Sequence, residues 1–350
     1  MFKMNISMNN KNFKNKNINF ILYLMLFFST FIVMNSSSWL SAWMGLEMNM
    51  MSFIPLMMNN KNHLPTAPSM MMYFIIQSVS SSILIMMMLN MKNIKMSLNN
   101  NLITSVMLMS LIMKLGGAPF HWWIPKIMNN LSWMNCLILL TWQKIAPMIL
   151  MIQVPNLSMI FMSAILSSIY GSLLSMNQTS FKMILSFSSI NHLGWLMMSM
   201  LFSLKMMMMY FLFYSLINIS ICLNLNKFNM INLNHMFKIN NNKMIKLIMN
   251  STFLSLGGIP PFLGFLPKLM ILILMIKNNL FIEAFLMIIL TLLIISIYIT
   301  PFTSSLLLNK MNIKWMNKIN KNLNSDKFNF YMINLMLTLM LFLMLMTKMI

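Results

Sequence analysis

The chain of 350 residues is 59% hydrophobic and only 8% charged, and its mean hydropathy is +0.76. These values exclude a soluble globular domain of this length and are typical of a polytopic membrane protein. The net charge of +21 comes from lysines alone, since the sequence contains no arginine. The lysines lie between apolar runs, and there is no arginine for bidentate contacts to bases or phosphates, so the sequence argues against nucleic-acid binding.

The sulfur-containing residues do not indicate a metal or redox site. Cys136 and Cys222 lie far apart in separate apolar runs, so they form neither a CxxC motif nor a disulfide framework. Thioethers bind Cu(I), but the 52 methionines are spread over nearly every run rather than set in MxxM clusters. We therefore interpret them as the translation bias of an AT-rich genome.

Eleven apolar runs predict an all-α polytopic membrane protein of about eleven transmembrane helices. Each unbroken run is near the roughly 20 residues that a helix needs to cross the hydrocarbon core. The first run follows a lysine-rich stretch, as in a signal peptide, but further runs follow at once, so we interpret it as a membrane helix. We expect a single transmembrane domain over 1–350, with 1–17 as a polar N-terminal extension. The runs are 18–34, 38–58, 69–90, 102–128, 132–152, 157–175, 180–202, 206–225, 244–276, 279–299 and 328–347.

The distribution of lysines predicts the orientation of these helices. With an odd number of crossings, the two termini lie on opposite faces of the membrane. Sixteen of the 24 lysines then fall on the N-terminal side, five on the other side and three within the membrane. Because cytoplasmic or matrix loops carry the excess of basic residues, we expect the N-terminus on the cytoplasmic or matrix side.

A short motif occurs twice, as LGGAP at 115–119 and as LGGIP at 256–260, at an offset of 141 residues. Proline has no N–H and its ring clashes with the carbonyl four residues earlier, so each copy interrupts a helix. Paired Gly/Pro interruptions in two halves of a chain point to a transport pathway built from repeats. We therefore expect an antiporter-like inverted repeat with broken helices near 102–128 and 244–276. The residues at the breaks are Gly116, Gly117, Pro119, Gly257, Gly258 and Pro260.

Four charged residues are predicted to lie within the membrane rather than at its faces, and a charge costs roughly 2.5–3.5 kcal/mol at the helix centre. They are Glu47, Lys114, Lys144 and Lys268. Moving an opposite charge toward or away from a buried lysine changes its proton affinity, which suits loading and release of a proton. Metal-ion transport would instead favour cages of carboxylates and carbonyls. Structural ion pairs, and for Lys268 snorkelling to the interface, are the alternative interpretations.

Two histidines also lie within the runs. His121 and His192 are candidate proton shuttles between the lysines, because histidine titrates near neutral pH. A neutral, hydrogen-bonded structural role is the alternative for both. The sequence contains no GxGxxG motif, P-loop or recognisable nucleophile–base arrangement that would indicate an enzyme active site in this chain.

Five segments resemble the subunit 2 family of mitochondrial NADH dehydrogenase, which is respiratory complex I. The resemblance covers nearly the whole chain in order and spacing. It implies an antiporter-like subunit of eleven helices whose N-terminus faces the matrix, an orientation that the lysines indicate independently. The composition suits an insect-type mitochondrial gene. The segments are WMGLEMNMMSFIPL at 43–56, KLGGAPFHWWIP at 114–125, TWQKIAP at 141–147, NQTSFKMILSFSSINHLGW at 177–195 and FLSLGGIPPFLGFLPK at 253–268.

The resemblance implies that Glu47, Lys114, Lys144 and Lys268 form a proton relay, because each stands at the position of a relay residue of the family. The implied function is proton translocation across the mitochondrial inner membrane, driven by NADH oxidation and ubiquinone reduction in other subunits. This chain is then expected to bind no NADH, FMN or iron–sulfur cluster. Its expected partners are other membrane-arm subunits and the lipid bilayer, including structural phospholipids. A stand-alone cation/proton antiporter and a non-pumping scaffold subunit remain as alternatives.

The chain departs from the family pattern at several secondary charges. Relatives typically carry Glu and Lys where this chain has Pro68 and Met72, and an Arg-Lys pair where it has Lys182 and Met183. Thr300 stands where an arginine is expected, and the N-terminus is roughly a dozen residues longer. These departures affect secondary ion pairs and leave the four central charges in place.

Overall fold

The fold is helical. The computed structural model describes residues 2–58, 66–93, 97–154, 156–233, 243–260 and 262–311. In these ranges every regular element is a helix, apart from an isolated antiparallel bridge between Ser180 and Asn232. The predicted all-α fold is therefore confirmed for these residues. The last predicted membrane run, 328–347, and the C-terminus lie outside them.

The first of two compact units is Met1–Met159. Its helices are α1 (Phe2–Met34), α2 (Trp39–Met58), α3 (Thr66–Asn93), α4 (Ser97–Leu115), α5 (Trp123–Asn130), α6 (Trp133–Leu140) and α7 (Trp142–Ile152). Helix α2 packs between α1 and α3, and α3 also packs on α4 and α5. Helix α7 contacts α1, α2, α4 and α6, so it reaches most of this unit.

The second unit is Ile160–Ile350. Its described helices are α8 (Leu157–Ser175), α9 (Phe181–Phe202), α10 (Leu204–Lys227), α11 (Lys243–Gly257), α12 (Phe265–Lys277) and α13 (Phe281–Met311). Helix α10 contacts α9, α11 and α12, and α13 packs on both α11 and α12. Helices α11 and α12 are the two parts of the interrupted run 244–276.

Six helical segments of the described chain are long and apolar enough to cross a membrane. Helices α2 and α9, with 20 and 22 residues, have the length of a span but are not among these six. Their polar residues explain this, namely Glu47 and Asn49 in α2 and Asn191 and His192 in α9. The six segments are Asn17–Met34, Ala67–Asn90, Trp133–Ile152, Leu157–Ser175, Leu204–Lys227 and Phe281–Thr300.

The N-terminal residues continue the first membrane helix. Helix α1 begins at Phe2 and runs without interruption to Met34, although the part that is apolar enough to cross a membrane starts only at Asn17. This stretch contains no glycine or proline that would end a helix. The predicted span 18–34 and the polar residues before it therefore form one element.

The run 132–152, predicted as one unbroken helix, is divided at Thr141. Thr141 has φ −114° and ψ −72°, and it separates α6 from α7. Pro147, inside α7, has no N–H to donate to the carbonyl of Gln143 four residues earlier. The distortion lies next to Lys144, which is the third residue of α7.

Two glycines allow helices of the second unit to approach closely. A Cβ on Gly171 of α8 would lie 2.6 Å from the backbone nitrogen of Asn191 in α9. A Cβ on Gly194 of α9 would lie 2.7 Å from the carbonyl oxygen of Ala164 in α8. Small residues at such contacts are the usual device for packing membrane helices, because apolar side chains gain little over lipid.

Candidate functional site

The first helix break follows Lys114 and is formed by glycine. Helix α4 ends just before Gly116, whose φ is +72°. The N–H groups of Gly116 and Gly117 donate to the carbonyls of Met113 and Ile112 at 3.2 Å and 3.0 Å. This pair of bonds is a Schellman motif, which closes the end of a helix around a left-handed residue. Pro119 lies in the connection that follows, so glycine and not the proline ends the helix.

The second break repeats this conformation. Helix α11 ends before Gly258, whose φ is +80°. The N–H of Gly258 donates to the carbonyl of Ser255 at 3.1 Å, and the N–H of Ile259 to that of Leu254 at 3.4 Å. A left-handed residue at a helix end is usually glycine and sometimes asparagine, because most side chains there would collide with the following carbonyl. Both breaks therefore depend on one glycine each.

The two helix breaks are one residue further apart in the chain than the two LGGxP motifs. The offset of 141 pairs Gly116 with Gly257, but Gly257 is the last residue of α11. The two left-handed glycines, Gly116 and Gly258, are 142 residues apart. The same offset pairs Lys126 with Lys268, each of which follows a proline. The motif pairing is thus wrong by one position. The left-handed residue is the first glycine of the first pair and the second glycine of the second pair.

Neutral side chains bind the freed carbonyls at the first break. The indole Nε1 of Trp123 donates to the carbonyl of Met113 at 3.2 Å. The amide Nε2 of Gln77 donates to the carbonyl of Lys114 at 3.3 Å. Neither bond uses the ammonium group of Lys114, whose side chain is buried.

A charged side chain binds the carbonyls at the second break. The Nζ of Lys268 donates to the carbonyl of Gly257 at 2.7 Å and to that of Leu256 at 3.4 Å. A Cβ on Gly258 would lie 3.1 Å from both the Cδ and the Nζ of Lys268. A cation near the C-terminus of a helix also interacts favourably with the helix dipole. Lys268 is buried and does not snorkel to the surface.

The counterpart of Lys268 at the first break has a different environment. Lys126 is exposed, and its Nζ lies 5.3 Å from the centre of the Trp122 ring. The shared Pro-Lys sequence therefore produces one buried and one exposed lysine. Both outcomes agree with the sequence analysis, which predicts Lys126 at a membrane face and Lys268 within the membrane.

Two of the predicted relay lysines share a cavity in the first unit. Lys114 is 6% exposed and Lys144 is 2% exposed. Both line a cavity of about 20 Å³, together with residues of α2, α3, α5 and α6. A cavity that holds one water needs about 10–15 Å³, so this one has room for a single water molecule. The structure thus brings Lys114 and Lys144 together around a water-sized space.

Glu47 lies in the same unit, on α2. Its side chain is half-buried, and its Oε1 is buried with no hydrogen-bond partner among the residues that the structure describes. Its carboxylate is within electrostatic range of Lys114. Gly45, two residues before it, allows close packing of α2 on α1, since a Cβ there would lie 3.0 Å from the carbonyl of Ser29.

Three hydrogen-bonded polar side chains lie next to these charges, and the sequence analysis predicts no role for them. The hydroxyl of Tyr73 donates to Oε1 of Gln143 at 3.2 Å, and Nε2 of Gln143 donates to Oδ1 of Asn49 at 3.0 Å. All three residues line the cavity of Lys114 and Lys144. Their sequence signal is an uncharged polar residue inside an apolar run, which many structural positions share.

The two candidate histidine shuttles occupy different places. His192 is buried in α9 of the second unit, and its Nδ1 is 2.8 Å from the hydroxyl of Tyr210 on α10. Its ring also lies 5.1 Å from that of Tyr214. His121 is half-buried in the connection between α4 and α5. Glu47, Lys114 and Lys144 thus belong to the first unit with His121, and Lys268 belongs to the second with His192.

The side chains of the described residues do not form a metal site. No group of three or more His, Cys, Asp or Glu residues that could hold a metal ion occurs in the described ranges. Cys136 and Cys222 are both buried and free. The site is therefore built from lysines, one carboxylate and neutral polar groups.

Comparisons with known proteins place this arrangement in a family. The family model for the transmembrane part of NADH:quinone oxidoreductases and Mrp antiporters matches residues 36–296. NADH-ubiquinone oxidoreductase chain 2 of Anopheles gambiae is 43% identical over 309 residues, which cover 87% of this chain and 90% of that protein. The protein of the same name from Locusta migratoria is 37% identical over 313 residues, covering 88% and 91%.

Solved structures agree in fold. A chain of respiratory complex I from Thermus thermophilus superimposes with a TM-score of 0.73 at 17% identity, covering 82% of this chain and 70% of that one. A chain of the Mrp complex from Dietzia gives a TM-score of 0.70 at 14% identity, covering 81% and 59%. The described helices thus have the antiporter-like membrane fold, and the identity to the insect proteins shows the narrower group. The chain is a member of the NADH-ubiquinone oxidoreductase chain 2 family.

Proposed function

We propose that this chain is a membrane-arm subunit of respiratory complex I that translocates protons through Glu47, Lys114, Lys144 and Lys268. In this proposal other subunits oxidise NADH and reduce ubiquinone, and the complex acts as a proton-translocating NADH:ubiquinone reductase. The identity to NADH-ubiquinone oxidoreductase chain 2 proteins over most of the chain supports the assignment to the complex.

The observation that most directly supports the proposed relay is the cavity shared by Lys114 and Lys144. Two ammonium groups on one small, buried cavity repel each other, so the doubly protonated pair is disfavoured. A pair of this kind holds one proton readily and passes it from one nitrogen to the other. Glu47 adds a negative charge within electrostatic range of Lys114, and movement of that charge would bias which lysine holds the proton.

The remaining features of the proposal concern topology and partners. The lysine distribution supports an N-terminus in the matrix and a C-terminus in the intermembrane space, in a chain of eleven spans with an inverted repeat. We also propose that the chain contacts other membrane-arm subunits and lipids, and that it binds no redox cofactor itself. An iron–sulfur cluster commonly needs four cysteine ligands, whereas this chain has two cysteines.

A stand-alone cation/proton antiporter is the second candidate, and the similarity in fold to a chain of the Mrp complex favours it. The two candidates differ in where the chain is found. Isolation of the chain only within an assembly that oxidises NADH supports the first candidate. Recovery of cation/proton exchange from vesicles that contain this chain without that assembly supports the second.

The relay is tested by replacing both lysines of the cavity. We expect the Lys114→Met, Lys144→Met double variant of the assembled complex to pump fewer protons per NADH oxidised in sealed vesicles. Uncharged side chains of similar length keep the packing but cannot carry a proton. A matched control is Lys126→Met, which removes an exposed lysine of the same unit. Full pumping by the assembled double variant would contradict the relay and favour the scaffold alternative.

A further inference from the structure

The cavity between Lys114 and Lys144 has a polar wall that contains no charge. Asn49, Tyr73 and Gln143 come from α2, α3 and α7 and meet on one side of it. Its volume of about 20 Å³ is sufficient for a water molecule. A proton that passes between the two lysines through this space would use water held there, so the side chains that orient that water affect the transfer.

Gln143 is the central member of the wall, and its orientation is fixed at both ends. Its Oε1 accepts from the hydroxyl of Tyr73, and its Nε2 donates to Oδ1 of Asn49. A glutamine amide has two N–H donors and an oxygen with two lone pairs, so one donor and one lone pair remain after these bonds. Gln143 directly precedes Lys144 in the first turn of α7, and both residues line the cavity, which brings the amide to the same space as the lysine that receives or gives the proton.

The chemistry of an amide suits this position. Transfer from protonated Lys114 to neutral Lys144 breaks an N–H bond of Lys114 and forms a new O–H bond on the water. A different O–H bond of the water breaks, and its proton bonds to the lone pair of the Lys144 nitrogen. The reverse transfer follows the same steps, and the water is regenerated in both. An amide does not ionise at neutral pH, so it orients the water without retaining the proton. A carboxylate at the same position would compete for the proton.

We propose that Gln143, held by Tyr73 and Asn49, is a positioning residue that binds one water molecule between Lys114 and Lys144 and sets the rate of proton exchange between them. This inference rests on the proposed relay function. The titratable groups around Gln143 are Tyr73 on α3, Lys114 on α4 and Lys144 on α7, with Glu47 on α2. Gln143 acts through the water and does not itself transfer a proton.

The test compares Gln143→Leu with Asn135→Leu in the intact complex. Asn135 also joins the same part of the chain to α2 through a buried amide, since its Nδ2 donates to the carbonyl of Leu56 at 3.0 Å. It does not line the cavity. We expect Gln143→Leu to lower the initial rate of proton pumping in sealed vesicles about tenfold, as expected for the loss of one to two hydrogen bonds. Asn135→Leu should change the thermal stability of the complex but not its pumping rate per assembled complex.

Two further readouts separate positioning from packing. Gln143→Glu keeps the shape but adds a group that competes for the proton, so its pumping rate should depend on pH differently from that of the wild type. Gln143→Leu should also change the solvent isotope effect on pumping in D₂O. Equal losses in Gln143→Leu and Asn135→Leu, without a change in pH profile or isotope effect, would overturn the positioning role.

The outcome also distinguishes this inference from the proposed function. If the double lysine variant loses pumping and Gln143→Leu retains it, the relay stands and the role of Gln143 is wrong. If the double lysine variant pumps fully, both are wrong. If Gln143→Leu does not assemble, Tyr73→Phe tests the inference instead, because it removes only the hydroxyl that donates to Oε1 of Gln143. We expect that variant to slow pumping about threefold, and an unchanged rate would contradict the inference.

Discussion

The two helix breaks share one backbone conformation but differ in the side chains that bind their carbonyls. At the first break Trp123 and Gln77, both neutral, donate to the end of α4. At the second break the ammonium group of Lys268 donates to the end of α11. The closure of the first break therefore leaves the charge of Lys114 unused, whereas the closure of the second uses that of Lys268.

This difference shows that, of two buried lysines in the proposed relay, Lys268 also stabilises a helix end and Lys114 does not. Removal of the proton from Lys114 breaks no hydrogen bond to the end of α4, because its partners there are Trp123 and Gln77. Loss of the Lys268 proton weakens two hydrogen bonds that close α11, since charged donors form stronger bonds than neutral ones. The second break is therefore the one at which helix geometry and protonation are coupled.

The largest expected effect comes from the left-handed glycine of the second break. Gly258→Ala imposes a left-handed conformation on an L-residue, at about 1–2 kcal/mol, and its Cβ, 3.1 Å from Nζ of Lys268, should also weaken the hydrogen bonds of that lysine to Leu256 and Gly257. We expect a lower thermal stability of the complex and reduced pumping. Gly257→Ala is the matched control, because Gly257 is helical and its Cβ would lie 3.3 Å from the edge of the Tyr298 ring. A greater loss in Gly257→Ala than in Gly258→Ala would contradict the offset of 142.

The second prediction separates the two lysines by stability. Lys268→Met leaves the carbonyls of Leu256 and Gly257 without their donor, and an unsatisfied buried acceptor costs about 1–3 kcal/mol. Lys114→Met removes a charge that binds no helix-end carbonyl, so any loss of stability should come only from the weaker interaction with Glu47 and should be smaller than in Lys268→Met. Both variants should reduce pumping. Thermal unfolding of the purified complex tests this comparison, and equal shifts in midpoint for the two variants would show that Lys268 does not stabilise α11.

The smallest expected effect concerns Lys126, the counterpart of Lys268 at the first break. It is exposed, and its contact with the Trp122 ring is worth at most about 0.5–1 kcal/mol. Lys126→Gln should therefore leave both pumping and thermal stability near the wild-type values, while Lys268→Gln should lower both. A loss of pumping in Lys126→Gln would mean that the two lysines have similar functions despite their different burial.

Part of the site follows directly from residue type and position. A lysine inside an apolar run is expensive to keep in a bilayer, which makes Lys114, Lys144 and Lys268 candidates without any structure. Their burial agrees with that expectation. Gln143 could not be identified in the same way, since an uncharged amide in a membrane helix has many structural uses. Its significance lies in contacts to Tyr73 and Asn49, which are 70 and 94 residues away in the chain.

The sequence by itself determined the helical membrane class, six of the apolar segments long enough to span a membrane and the burial of three lysines, because hydropathy and the cost of burying a charge are properties of residue type and spacing. The tertiary structure decided which glycine of each pair ends a helix, and it decided that the ammonium group of Lys268 binds the end of α11 whereas neutral side chains bind the end of α4. It also placed Lys114, Lys144 and Gln143 around one cavity. These features depend on backbone conformation and on contacts between distant helices, which residue spacing does not specify.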